Sequence, residues 1–92
     1  QCNILDKSEV VVYDEYIGPG YGEPTDGMTE AIKLLAKKEA ILLDPVYSGK
    51  GFAGLIGLIK NKKFTKSDNV LFIHTGGAVS LFAYEWAFNK EF

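Results

Sequence analysis

The stretch DPVYSGKGFAGLIGLI, residues 44–59, decides how this chain is read. It follows the apolar run Ala40, Ile41, Leu42 and Leu43, which has the length and composition of a strand buried on both faces. Asp44-Pro45 ends that run, because proline gives no amide to a ladder and Asp before Pro favours a turn. Beyond the turn, FAGLIGLIKNKK (52–63) is apolar nearly all round and predicts a buried helix. A strand, a glycine-bearing turn and a helix make half of a βαβ unit. Tyr47, Ser48 and Lys50 then stand at the mouth of the strand-to-helix turn.

Working outward, the same alternation recurs. VVVYDEYI (10–17) opens with three β-branched residues and predicts a strand. GPGYGEPTDG (18–27) holds four glycines and two prolines and predicts a loop. Thr25 or Asp26 is placed to cap the next helix. In MTEAIKLLAKKE (28–39), Met28, Ile32 and Leu35 recur at helical spacing with Ala31 beside them, predicting an amphipathic helix ending near Lys38. KKFTKSDN (62–69) is a polar connection. VLFIH (70–74) predicts another buried strand, TGG (75–77) a sharp turn, and AVSLFAYEWAF (78–88) a closing helix. The order β-loop-α-β-α-β-α implies α/β architecture with a parallel sheet and right-handed crossovers. Three such strands lack enough neighbours to be buried, so the sheet is expected to continue in polypeptide beyond this sequence. The absence of an opening methionine agrees with a natural start further upstream.

Bulk composition narrows the function. With 92 residues the chain is one small domain at most, and 47% hydrophobic with 24% charged residues is ordinary for a globular protein. The net charge is −2 and every basic residue is a lysine, which argues against nucleic-acid binding. A single cysteine, Cys2, makes no internal disulfide and suits a reducing compartment, so a cytoplasmic location is expected. Nothing reads as a membrane span or a signal peptide.

In open parallel sheets, ligands bind beyond the carboxyl ends of the strands. Three loops occupy that position: GPGYGEPTDG, DPVYSGKG and HTGG. Each pairs glycine with a hydroxyl-bearing side chain, and each precedes a helix whose free amides suit an anionic or polar planar ligand. Tyr21 and Tyr47 either pack their rings or supply hydroxyls for proton transfer. Ser48 and Thr75 either cap helices or exchange hydrogen bonds with a heterocycle nitrogen. Lys50 is either a solvated lysine or an amine activated at a helix start. His74 is expected to make structural hydrogen bonds and Asp44 to form the turn. Tyr13, Tyr16, Phe82, Tyr84, Trp86 and Phe88 read as core or interface aromatics, and the lone histidine and cysteine make no metal site.

Three motifs, GYGEPTDG (20–27), LLDPVYSGKGFAGLIGLI (42–59) and VLFIHTGGAVSLFAY (70–84), resemble in order and spacing the C-terminal part of the D-cysteine desulfhydrase and 1-aminocyclopropane-1-carboxylate deaminase family. These are pyridoxal-phosphate enzymes of fold type II, related to the tryptophan synthase β subunit. The resemblance covers about residues 10 to 84. It implies that residues 1–92 are a C-terminal fragment of the larger, cofactor-binding catalytic domain of a homodimer acting on a small amino acid. Tyr21 of the YGxP motif would lie near substrate and cofactor. Tyr47 of DPVY would stack or hydrogen-bond beside the cofactor and take part in proton transfer.

The next position separates two activities: the cyclopropane deaminases carry DPVYEGK and HLGG, the desulfhydrases DPVYTGK and HTGG. Ser48 and Thr75 side with the desulfhydrases, which implies Thr75 as partner of the pyridine nitrogen and Ser48 and Gly76 as further cofactor-binding residues. A glutamate there would keep the nitrogen protonated for opening an unactivated ring. A neutral hydroxyl makes a weaker electron sink, sufficient where a thiolate leaves. The resemblance also implies that the Schiff-base lysine, the phosphate loop and a substrate-binding serine lie in the absent N-terminal two-thirds. Lys50 matches a motif lysine that does not form the Schiff base. The fragment alone is therefore expected to be inactive.

Overall fold

The computed structural model describes residues 4–89. Cys2, and with it the reading of the redox compartment, lies outside them.

Helix α1 spans Asp26–Glu39. Thr25 caps it, its hydroxyl oxygen accepting the Met28 amide at 3.1 Å, while Asp26 in the first turn and Lys37 and Lys38 in the last suit the helix dipole. The buried face carries Met28, Ala31 and Ile32 with Leu35 partly buried, the stripe expected from the spacing. The helix stops at Ala40, which takes a left-handed conformation (φ 55°) and returns its amide to Ala36.

Helix α2 spans Ser48–Lys60 and starts earlier than the sequence suggests: SGKG is its first turn, not part of the preceding loop. Capping comes from further back. The Asp44 carboxylate accepts the amides of Val46, Tyr47 and Ser48 at 2.7–2.8 Å, whereas Tyr47 at the N-cap position makes no side-chain cap. Helices α1 and α2 pack against each other, and Met28, Ile32 and Leu43 form the buried centre, joined by Leu35, Phe52, Phe72, Leu81 and Phe88. Tyr16 lies across Gly54 and Gly57 of α2, and a Cβ on Gly57 would run into its ring.

The expected closing helix is split. Residues Ala78–Tyr84 form a 3-10 helix, and only Glu85–Phe88 form α3. Ser80 gives a reason: its hydroxyl and its amide both bond back to Gly77 O, three residues away, which favours the tighter winding. Of the aromatics, Phe88 joins the core and Tyr84 stacks on Trp86, while Phe82 and Trp86 are exposed.

The expected parallel sheet is not present among the described residues. Residues 10–14, 41–43 and 70–74 form neither helix nor ladder. Of the second segment only Leu43 is buried, and Val10, Val11, Val12, Ile41, Leu42, Leu71 and Ile73 are exposed. A strand forms only where a neighbouring backbone takes its amides and carbonyls, and these segments make no such backbone pairing among the described residues. Their β-branched composition signals a surface that wants partners, not one that supplies them.

Candidate functional site

The site grows from the start of α2. Asp44 is buried at 2% exposure, and its carboxylate takes a fourth bond from the Ser48 hydroxyl at 2.5 Å. The Ser48 oxygen in turn accepts the Asp44 amide at 2.8 Å. Burial alone would raise the Asp44 pKa. The Ser48 hydroxyl and the amides of Tyr47, Ser48 and Val46 outweigh it, and the carboxyl is held below its ordinary 3.8. This cluster makes the DPVYS turn rigid and aims Tyr47 outward, where it is 62% exposed.

Tyr47 meets Tyr21 of the first loop. Their hydroxyls lie 2.5 Å apart, and their rings meet edge to face with centroids 5.9 Å apart. The Tyr21 hydrogen bond is the main cause raising the Tyr47 pKa above 10.0. Desolvation and the charges of Tyr21 and Asp44 add to it. Tyr47 is thus a phenol at neutral pH.

Lys50, one turn into α2, reaches the same loop: its ammonium donates to Ile17 O at 2.6 Å and Gly20 O at 3.1 Å. It is only 8% exposed, so it is neither a solvated lysine nor a free amine. The third turn closes on the second. His74 Nδ1 accepts the Gly76 amide at 2.9 Å, so Nε2 carries the proton and donates to Leu42 O at 2.7 Å, the structural role its position suggests. Gly77, at φ 87°, is packed so that a Cβ would lie 3.1 Å from that of Asp44; glycine meets both demands. Finally, Tyr84 donates to Gly22 O at 2.8 Å and ties the 3-10 helix to the first loop.

The three glycine-bearing turns therefore converge on one end of α2. A cavity of about 690 Å³ lies between the first loop and α2, lined by Tyr13, Tyr16, Tyr21, Tyr47, Leu55 and Leu58 among others. Tyr21 and Tyr47 stand on it; Ser48, Thr75 and Gly76 are not among its lining residues. Thr75 is exposed, its hydroxyl has no partner among the described residues, and the backbone at Gly76 is approached by no other atom within 4 Å of where a Cβ would stand.

Sequence reasoning named two residues without reaching the roles they play. Asp44 is the cap of α2 as well as a turn former, and an Asp four residues before the first helical serine was the available signal. Lys50 was signalled by a cation in the first turn of a helix, where the dipole opposes it.

Against known families, the family model described as pyridoxal-phosphate dependent enzyme matches residues 4–76, well over half of the chain and a span that includes the first two turns and the third as far as Gly76.

Proposed function

This chain belongs to the pyridoxal-phosphate dependent enzymes, and from that premise we propose that it forms one wall of the active site of an enzyme that eliminates the thiol of D-cysteine. D-cysteine and one water would give hydrogen sulfide, pyruvate and ammonia. The observation that carries this reading is the Tyr21–Tyr47 pair, two phenols in hydrogen-bond contact on the rim of an apolar cavity.

The donor set suits a planar heterocycle on one side only. Phenol rings, the uncharged Thr75 hydroxyl and an unobstructed Gly76 backbone are the kind of groups that contact such a ring. A covalent anchor is another matter, because the Lys50 amine is committed to two carbonyls. In this reading the anchoring lysine and the phosphate loop belong to polypeptide beyond this sequence, in the other part of a homodimeric enzyme, and residues 1–92 alone do not turn over substrate.

When bound, the cofactor supplies the electron sink for negative charge at the substrate's α carbon. Tyr47, kept protonated by Tyr21, acts as an acid and gives its proton to the departing sulfur. Tyr21 orients that phenol, and the solvent-exposed pair takes the spent proton back from water. Thr75 would offer a neutral hydroxyl to the cofactor's ring nitrogen. The Ser48 hydroxyl donates its hydrogen bond to Asp44 and accepts the Asp44 amide, so it has no hydrogen left to offer a ligand. Neutral partners at both positions suit a substrate whose leaving group departs readily, as a thiolate does and a cyclopropane carbon does not.

The test is sulfide release by the full-length protein from D-cysteine, L-cysteine and 1-aminocyclopropane-1-carboxylate. Sulfide from D-cysteine is expected. A 2-oxo acid from the cyclopropane without sulfide from D-cysteine would assign the deaminase reaction instead, and no product from any of the three would leave a ligand-binding module without catalysis. The double variant Ser48→Glu/Thr75→Leu is expected to lose sulfide release; unchanged release would remove the two hydroxyls from the cofactor's surroundings.

A further inference from the structure

We propose that Lys50 is a positioning residue: its ammonium ties the Ile17–Gly20 loop to the first turn of α2 and so holds the Tyr21 hydroxyl against that of Tyr47. The proposal rests on reading the two tyrosines as the acting pair, and its test is chosen to fail independently of that reading.

Helix electrostatics does not explain a lysine here, because a cation in the first turn opposes the dipole. Burial does not explain it either, since an ammonium at 8% exposure has lost most of its water. What compensates is the pair of carbonyls, Ile17 O at 2.6 Å and Gly20 O at 3.1 Å, which take two of its three donors. These carbonyls bracket Gly18 and Pro19, and the second belongs to the residue just before Tyr21.

Apart from Tyr16 packed across Gly54 and Gly57 at its start, the loop has few ties of its own. Gly18 and Gly22 both sit at positive φ, and the loop's own backbone bonds are the 3.5 Å contact from Ile17 N to Asp14 O and the 3.2 Å contact from Glu23 N to Gly20 O. Tyr84 holds the far side at Gly22. Tyr47 and Lys50 are three residues apart at the helix start and so share a face. One helical turn thus carries both the fixed phenol and the tie that brings the loop-borne phenol to it.

The test uses full-length protein labelled with [13Cζ]tyrosine, the Tyr47 resonance being assigned by its loss in Tyr47→Phe. The titration of Tyr47 is followed in wild type, Tyr21→Phe, Lys50→Met and the double variant Tyr21→Phe/Lys50→Met, with Asp44, the other charge bearing on Tyr47, unchanged throughout. Lys50→Met is expected to lower the Tyr47 midpoint to that of Tyr21→Phe, and the double variant to show no further shift. A wild-type midpoint in folded Lys50→Met overturns the proposal. So does an additional shift in the double variant, which would mean that Lys50 acts on Tyr47 directly. Should Lys50→Met not fold, Lys50→Gln, which keeps the stem and a neutral donor, is expected to give a partial fall, and no fall overturns the proposal equally. The catalytic reading is separated by turnover: if Tyr47→Phe leaves turnover unchanged while the titrations behave as expected, the acid role fails and the tie stands.

Discussion

At the scale of single residues, Asp44 and Tyr47 carry opposite pH signatures. The Asp44 carboxyl is held below 3.8 in the fold, so as pH falls the unfolded chain takes up the proton first. Its contribution is complete above the ordinary carboxylate range and is lost as pH falls through the depressed value. Asp44→Asn is expected to destabilise by about 2 kcal/mol or more at neutral pH, since charged acceptors for three amides and a hydroxyl are lost. It should also flatten the acid limb of urea-measured stability, and an unchanged acid limb would place the acid sensitivity elsewhere. Tyr47 is shifted the other way: the phenol is stabilised below 10.0, and that contribution disappears as pH rises through its raised value. If it is the acid, turnover of the full-length enzyme falls on the alkaline side above pH 10.0. Tyr47→Phe should then keep the bound-cofactor absorbance but slow turnover by ~10²-fold or more. A mere change in KM would leave Tyr47 as a packing residue.

At the scale of elements, the helices are set by local chemistry and close approach. Ala40 closes α1 in a left-handed conformation that an alanine adopts at a cost. Ala40→Gly is therefore expected to raise stability by about 1 kcal/mol, read as a shift in the denaturation midpoint with unchanged slope. Gly57 fails the same exchange in reverse: its Cβ would enter the Tyr16 ring. Although alanine is the better helix former by about 1 kcal/mol, Gly57→Ala should destabilise by about 1–3 kcal/mol through overpacking. A stabilised Gly57→Ala would mean that Tyr16 moves aside freely. Both variants leave Tyr21, Tyr47 and Lys50 intact, so they test the frame apart from the site.

At the scale of the whole molecule, too little is buried for what is exposed. The radius of gyration is 14.7 Å with extents of 46 × 30 × 25 Å, where about 12 Å is usual for this length. Segments 10–14, 41–43 and 70–74 leave apolar side chains such as Val12, Leu42 and Leu71 facing water, and their backbone has no ladder among the described residues. Such edges recruit partners. In the chain of residues 1–92, amides of 10–13, 41–42 and 70–73 are expected to exchange with deuterium far sooner than those in the middle of α1 and α2. In the full-length enzyme the same amides should become protected by sheet pairing. Equal exchange in the two would remove the reading that these segments are strands awaiting neighbours. Among the described residues no helix is long and apolar enough to cross a membrane.

The sequence by itself determined α1, down to its Thr25 cap and its Met28, Ala31, Ile32 and Leu35 stripe, because helix spacing and capping are local. It also determined that three glycine turns carry hydroxyl groups, since turn chemistry is written in adjacent residues. It read 10–17, 40–43 and 70–74 as strands from their composition, yet strand formation is a property of pairs, and no strand pairing is present among the described residues. Only the tertiary structure decided that Tyr21 reaches Tyr47 across 26 positions, and that Lys50 spans 33 positions to Ile17. Only it showed that the Ser48 hydroxyl donates its hydrogen bond to Asp44. Such contacts depend on where two distant turns come to rest, and no local propensity encodes that meeting.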